Sequence, residues 1–80
     1  MQHELVSERK LLELLNARLH THDACVGCEF TSIVRLGQMD IDGSNWNSAN
    51  LRCSGQPAIV CAPIAQGIVS EAKKTINVAP

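Results

Sequence analysis

The chain has 80 residues, of which 45% are hydrophobic and 19% charged, and its formal net charge is −1. This composition excludes intrinsic disorder, which requires low hydrophobicity and high net charge. It also argues against direct nucleic-acid binding, because the chain has no excess of Lys and Arg and contains one Phe, one Trp and no Tyr for base stacking. We expect one domain over residues 1–80, with a small core and a thin margin of stability.

Hydrophobic runs in the sequence are short. None approaches the roughly 18 apolar residues that a membrane-spanning helix needs, so we expect no membrane segment. Residues 1–4 lack the basic start and apolar region of a signal peptide. We therefore expect a cytoplasmic protein, in which thiols stay mostly reduced.

The first predicted element is an amphipathic helix over residues 4–22, a stretch without Gly or Pro. At about 100° per residue, its leucines occupy one arc of roughly 180°. A small domain has little surface to cover so wide an arc, so we expect the helix to pack on a second subunit as well. The leucines assigned to this homodimer interface are Leu5, Leu11, Leu12, Leu15 and Leu19.

The second predicted element is a β-hairpin over residues 29–53. β-Branched residues with partial alternation indicate a first strand over 29–36, and Asp42-Gly43 is a strong hairpin-turn signal. The second strand is expected over 46–53. Together these segments predict two antiparallel strands joined by a polar turn.

Alternation along the first strand divides its side chains between two faces. Phe30, Val34 and Leu36 are expected to share one face, whereas Ile33 falls on the other with Thr31 and Arg35.

The last predicted element is a helix over residues 57–76. Pro57 suits a first helical turn, and apolar residues recur every four positions from Ile64 to Ile76. Pro63 implies either a kink or a later helix start. The predicted fold is therefore α+β, a single helix–β-hairpin–helix domain of order αββα.

Four cysteines are the most informative residues of the chain. Cys25 and Cys28 have the Cys-x2-Cys spacing of a zinc knuckle, and Cys53 and Cys61 can complete a tetrahedral site. Such a zinc ion would be structural, because four protein ligands leave no open position. Two other states remain open: burial as small hydrophobic residues, and disulfides, including a Cys53–Cys61 bond.

Two catalytic or metal patterns fail on spacing. Cys25 has potential partners in His20, His22 and Asp23, but all lie within six residues, too close to surround a substrate. The segment from Asp40 suggests a calcium loop, yet the positions that need Gly and a carboxylate hold Asn45 and Leu51. We therefore predict no enzymatic activity and, outside the zinc alternative, no cofactor.

The polar turn is the predicted partner-binding face, assigned to Asp40, Asp42 and Trp46. Trp46 is the only Trp and lies in the most polar stretch. It either anchors the hairpin to the core or is exposed beside the two aspartates, where Trp is enriched among interface hot spots.

In size and lack of a catalytic set, the chain resembles small phage and mobile-element proteins that bind and block a host machine, such as anti-CRISPR inhibitors. This resemblance rests on no motif. It implies that the partner is a larger protein in a host defence complex. We predict a non-enzymatic protein–protein interaction module that binds and blocks or regulates a larger partner. The alternative is a small structural zinc domain.

Overall fold

The computed structural model describes residues 3–80. Its elements in chain order are β1 (Glu4–Val6), α1 (Glu8–Leu19), a one-turn 3₁₀ helix (Asp23–Cys25), β2 (Cys28–Arg35), β3 (Trp46–Cys53), α2 (Ala58–Lys73) and β4 (Ile76–Val78). The α+β class and the helix–hairpin–helix order predicted from the sequence are confirmed. Two short terminal strands, β1 and β4, were not predicted.

The first helix is shorter than the predicted range of 4–22. Ser7 caps α1, because its side-chain oxygen accepts a hydrogen bond from the Lys10 N–H at 3.1 Å. A cap residue has extended backbone, so the helix cannot continue back through it. Residues 4–6 instead form β1, which pairs in parallel with β4 and places Leu5 beside Asn77.

The hairpin consists of two antiparallel eight-residue strands, and a bulge in β2 changes its buried face. Phe30 pairs with Leu51 and Ser32 with Asn50, so Thr31 is an extra residue in β2. An extra residue shifts the alternation by one. Ile33 is therefore buried on the same side as Phe30, whereas Val34 is 37% exposed, so the prediction that Val34 shares a face with Phe30 was wrong.

The second helix begins at Ala58, directly after Pro57, and continues through Pro63. Pro63 lacks the N–H that would bond to the preceding turn, but it lies in the second turn of the helix and is exposed. The helix ends at Lys73 rather than at the predicted residue 76, because Ile76 starts β4.

The core lies where both helices pack against the hairpin. Helix α1 packs mainly on β2 and α2 mainly on β3. The buried hydrophobic residues are Leu11, Leu15, Leu19, Cys25, Cys28, Phe30, Ile33, Trp46, Cys61, Ala65, Val69, Ala72, Ile76 and Val78.

The four cysteines form two disulfides, Cys25–Cys61 and Cys28–Cys53. The first joins the 3₁₀ helix to α2, and the second joins two residues that are register partners in β2 and β3. The Cys-x2-Cys pair is therefore split between two bonds. The predicted zinc ligands Cys25, Cys28, Cys53 and Cys61 were wrong, because no thiolate remains free among the described residues. A Cys53–Cys61 bond was also a wrong pairing.

Each disulfide closes a long loop, since the bonded residues are 36 and 25 positions apart. Crosslinks of this span stabilise a domain mainly by restricting its unfolded chain, by about 3–4 kcal/mol each. For a chain of 80 residues that contribution is comparable with the whole free energy of folding.

Removing either disulfide should lower the free energy of unfolding by about 3–4 kcal/mol. The matched variants are Cys25→Ser with Cys61→Ser, and Cys28→Ser with Cys53→Ser, each compared with the wild type by urea unfolding without reductant. Added reductant should destabilise the wild type further than either variant. Four titratable thiols in freshly purified native protein would contradict the assigned disulfides.

Trp46 is the largest fully buried side chain and links β3 to β4. Its indole Nε1–H donates a hydrogen bond to the Ile76 carbonyl at 2.8 Å. A buried carbonyl that loses its donor retains the desolvation penalty without compensation.

Trp46→Phe should therefore lower the free energy of unfolding by about 1–3 kcal/mol while keeping the fold. Urea unfolding followed by circular dichroism measures this difference. In the wild type, the single Trp should emit at short wavelength and resist an aqueous quencher until the protein unfolds. Quenching of native protein as complete as that of unfolded protein would place the indole at the surface and contradict the assignment.

Candidate partner-binding loop

Residues 36–45 connect β2 to β3 and form a loop that we call the tip loop. Its turn is organised by Asp40, whose carboxylate accepts hydrogen bonds from the N–H groups of Asp42 at 3.0 Å and Ser44 at 2.9 Å. The Asp40 carbonyl also accepts from the Gly43 N–H at 3.0 Å. Gly43 has φ of 82°, a left-handed conformation that favours glycine. The Asp42-Gly43 turn signal therefore reports a real turn.

The tip loop is attached to the C-terminal end of α2. Ser44 is 1% exposed, and its hydroxyl donates to the Lys73 carbonyl at 3.0 Å. His3 Nε2 donates to the same carbonyl at 2.8 Å. The Lys73 ammonium lies 3.7 Å from the Asp40 carboxylate. The bonds from Ser44 and His3 supply donors to the Lys73 carbonyl, which lies at a helix end where intrahelical partners are missing.

Two asparagines attach the tip loop to β4. The Asn77 side chain accepts from the Asn45 N–H at 3.1 Å and donates to the Gly43 carbonyl at 2.9 Å. The Asn45 side chain donates to the Val78 carbonyl at 2.7 Å and accepts from the Val78 N–H at 3.0 Å. Each side-chain amide thus bonds to one backbone N–H and one backbone carbonyl, as a neighbouring strand would. Hydrogen bonds from residues 43–45 therefore hold the loop against β4 and the end of α2.

This fixed loop exposes two apolar side chains. Ile41 is 99% exposed and Met39 is 64% exposed, and both alternate with Asp40 and Asp42. Scattered apolar residues are common on protein surfaces, but two on one hydrogen-bonded turn are typical of a binding site. Met is also enriched at protein interfaces, where its flexible thioether adapts to a partner.

Hydrogen bonding lowers the pKa of Asp40 from its ordinary value of 3.8. The Ser44 N–H is the main cause, and the Asp42 N–H and the nearby Lys73 ammonium act in the same direction, while partial desolvation opposes them. Each donor favours the ionised carboxylate. The turn is therefore strongest when Asp40 carries its negative charge.

Asp40 and Asp42 both lie in the tip loop, whereas Trp46 does not lie on its surface. The Trp46 side chain is 0% exposed, which corrects its assignment as a partner contact and identifies it as the anchor of the hairpin. The sequence reasoning missed Ile41 and Met39. The available signal was an isoleucine between two aspartates in a turn, a position where polar residues are usual.

Three leucines of the predicted dimer interface belong to the core of the chain itself. Leu11, Leu15 and Leu19 are each 0% exposed, which corrects their assignment to a second subunit. The arc is wide because one helix contacts both the hairpin and α2. Leu12 is partly buried and Leu5 is 63% exposed in β1, so the homodimer stays a prediction that concerns only these two.

Residues 3–80 contain no group of three or more His, Cys, Asp or Glu side chains arranged to hold a metal ion. Cys25 is bonded to Cys61 and thus has no thiol to act as a nucleophile. His20 has a structural contact instead, since its Nε2 donates to the Cys28 carbonyl at 2.7 Å. The residues considered for nucleophilic catalysis therefore do not assemble into a catalytic set.

Comparisons with protein families, curated proteins and solved structures find no match to this chain. Within residues 3–80, no helix has both the length and the apolar character required to cross a membrane.

Asp40→Asn should destabilise the protein at about pH 7 and have a smaller effect at about pH 3. The folded-state pKa of Asp40 is lowered, so its contribution is present above the unfolded value of 3.8 and is lost as pH falls through the folded value. Urea unfolding at both pH values measures the difference. Asp42→Asn is the control, because the hydrogen bond of Asp42 in the turn comes from its backbone N–H.

An equal loss of stability for Asp40→Asn at both pH values would show that the carboxylate charge contributes nothing. In that case the Asp40 effect would come from replacing a carboxyl oxygen by an NH2 group rather than from the charge.

Proposed function

We propose that this protein is a non-enzymatic interaction module that binds and blocks or regulates a larger protein partner through the tip loop. The observation that carries the proposal is the fully exposed Ile41 on a turn whose backbone is held at both flanks. A rigid turn loses little conformational entropy on binding, so more of its contact energy remains as affinity.

The charge pattern supports a partner with an apolar pocket bordered by cations. Asp42 is exposed beside Ile41, and its carboxylate makes no salt bridge within residues 3–80. Asp40 is already occupied by the turn and by Lys73. Asp42 is therefore the aspartate that is free to orient a basic partner during encounter.

The disulfides support action in an oxidising environment. Structural disulfides persist in secreted, periplasmic or cell-surface proteins and are rare in the cytosol, where thiols are kept reduced. The expected cytoplasmic location stays untested, and the two disulfides argue against it. For the same reason, the disulfides favour a partner in an oxidising compartment rather than an intracellular host defence complex.

A photo-crosslinking amino acid in place of Ile41 tests the proposal in extract and culture medium of the source organism. The matched control carries the same group in place of Arg9, whose side chain is 92% exposed on α1. We expect one discrete adduct from position 41 that position 9 does not form. Excess unmodified protein should compete it away.

The partner identified in this way allows a quantitative test. Ile41→Asp should weaken binding of the purified partner by at least tenfold, a loss of about 1.4 kcal/mol or more. Its unfolding curve should match the wild type, because Ile41 contacts solvent rather than the core. Equal affinity of Ile41→Asp and wild type would exclude the tip loop as the binding site.

A further inference from the structure

The two outer edges of the hairpin differ. On β2, the Asn16 side chain takes both backbone groups of Phe30: its Oδ1 accepts from the N–H at 2.7 Å and its Nδ2 donates to the carbonyl at 3.1 Å. His20 Nε2 occupies the Cys28 carbonyl on the same edge. Side chains of α1 and its cap thus cover the β2 edge at Cys28 and Phe30, as expected of a partly protected edge strand.

The β3 edge is open, and the pairing shows which of its groups point outward. Because Phe30 directs its N–H and carbonyl away from β3, Phe30 and Leu51 form a non-hydrogen-bonded pair. The backbone groups of Leu51 therefore point away from β2 too. Ala49 lies two residues away and shares this direction. The Asn50 carbonyl between them faces β2, where it accepts from the Thr31 hydroxyl at 3.5 Å.

No backbone or side-chain group of residues 3–80 from outside the hairpin bonds to the outward N–H and carbonyl groups of Ala49 and Leu51. Two outward donors and two outward acceptors, at alternate residues, are the complement of another extended backbone. This pattern specifies the conformation of the occupant.

A groove of about 390 Å³ lies beside this edge, between β3 and α2. Asn47, Ser48 and Ala49 of β3 line one wall of this groove. The floor is apolar and comprises Phe30, Ala65 and Val69, and the rim is polar without charge, including Gln66 and Ser70.

We propose that the outer edge of β3 binds an extended segment of another polypeptide, which adds a third strand and places an apolar side chain in the groove. The proposal goes beyond the tip loop and concerns a second surface. The uncharged walls favour a segment with small or medium apolar side chains at alternate positions. A proline at a position that must donate to β3 is excluded, because proline has no N–H.

A second copy of this chain does not fit the same edge. Pairing two β3 strands about a twofold axis perpendicular to the sheet would place both α2 helices on one face, each packed over its own β3. Paired strands lie about 4.8 Å apart, whereas packed helices need about 8–10 Å, and α2 cannot move back because α1 already packs against its other side over β2. The space beside β3 admits a strand that carries no helix on that face.

Selection from a phage-displayed library of random nine-residue peptides tests this inference on the disulfide-intact protein. We expect enriched peptides with apolar residues at alternate positions. The synthetic peptides should slow amide exchange at Ala49 and Leu51, which exchange quickly in the free protein. Asn50 and Arg52, whose backbone groups face β2, should be protected in both states.

Ala49→Pro removes one outward donor and leaves the β2–β3 ladder intact, and proline is tolerated at such edge positions. It should weaken peptide binding about tenfold, whereas Ala49→Ser, which keeps the N–H and a small side chain, should bind within about threefold of wild type. Ile41→Asp should bind the peptides as wild type does, which separates this surface from the tip loop.

Three results would overturn the inference. One is the failure of the library to yield any enriched peptide. The second is a set of peptides that protect other amides or that bind Ala49→Pro as tightly as the wild type. Peptides that no longer bind the Ile41→Asp variant would also count against the β3 edge, because they would bind the tip loop. The third is slow exchange at Ala49 and Leu51 in a free protein that is dimeric, which would show that a second copy covers the edge.

Discussion

The two disulfides are the constraint on which the rest of the molecule depends. Cys28–Cys53 joins β2 to β3 at the end of the hairpin remote from the tip loop, and Cys25–Cys61 ties the start of α2 to the same region. An 80-residue chain has a small core, so crosslinks that restrict its unfolded state supply a large part of its stability. One end of the domain is therefore held covalently.

The opposite end is held by hydrogen bonds, and that is where the tip loop lies. The indole of Trp46 joins β3 to β4, and Asn45 and Asn77 join the loop to the same strand. Asn77 is 3% exposed, so these bonds lie away from competing water. A polar loop becomes rigid enough to present Ile41 because β4 supplies a fixed surface behind it.

The hairpin also separates two kinds of surface. The Asn16 amide covers its β2 edge at Phe30, where it takes the place of a neighbouring strand, while the β3 edge remains available beside an apolar groove. A two-stranded sheet needs packing on at least one face to be stable, and the helices provide it. With that face covered, an open edge carries backbone groups that another extended chain can bind in place of water.

Local patterns in the sequence determined the α+β class, the two long helices, both hairpin strands and the Asp42-Gly43 turn, because periodicity and turn chemistry act over a few residues. They also indicated Asp40 and Asp42 as part of the exposed turn. The Ser7 cap was readable as well, but the continuous leucine pattern obscured it.

Only the tertiary structure decided the rest. The pairing of β1 with β4 joins opposite ends of the chain, and the partners of Cys25 and Cys28 lie 36 and 25 residues away, distances at which spacing carries no information. Burial of Trp46 and of the three core leucines depended on β4 and α2 arriving beside them. Local sequence patterns determined the two helices and the hairpin, whereas contacts between distant residues created β1 and β4 and decided which side chains reach the surface.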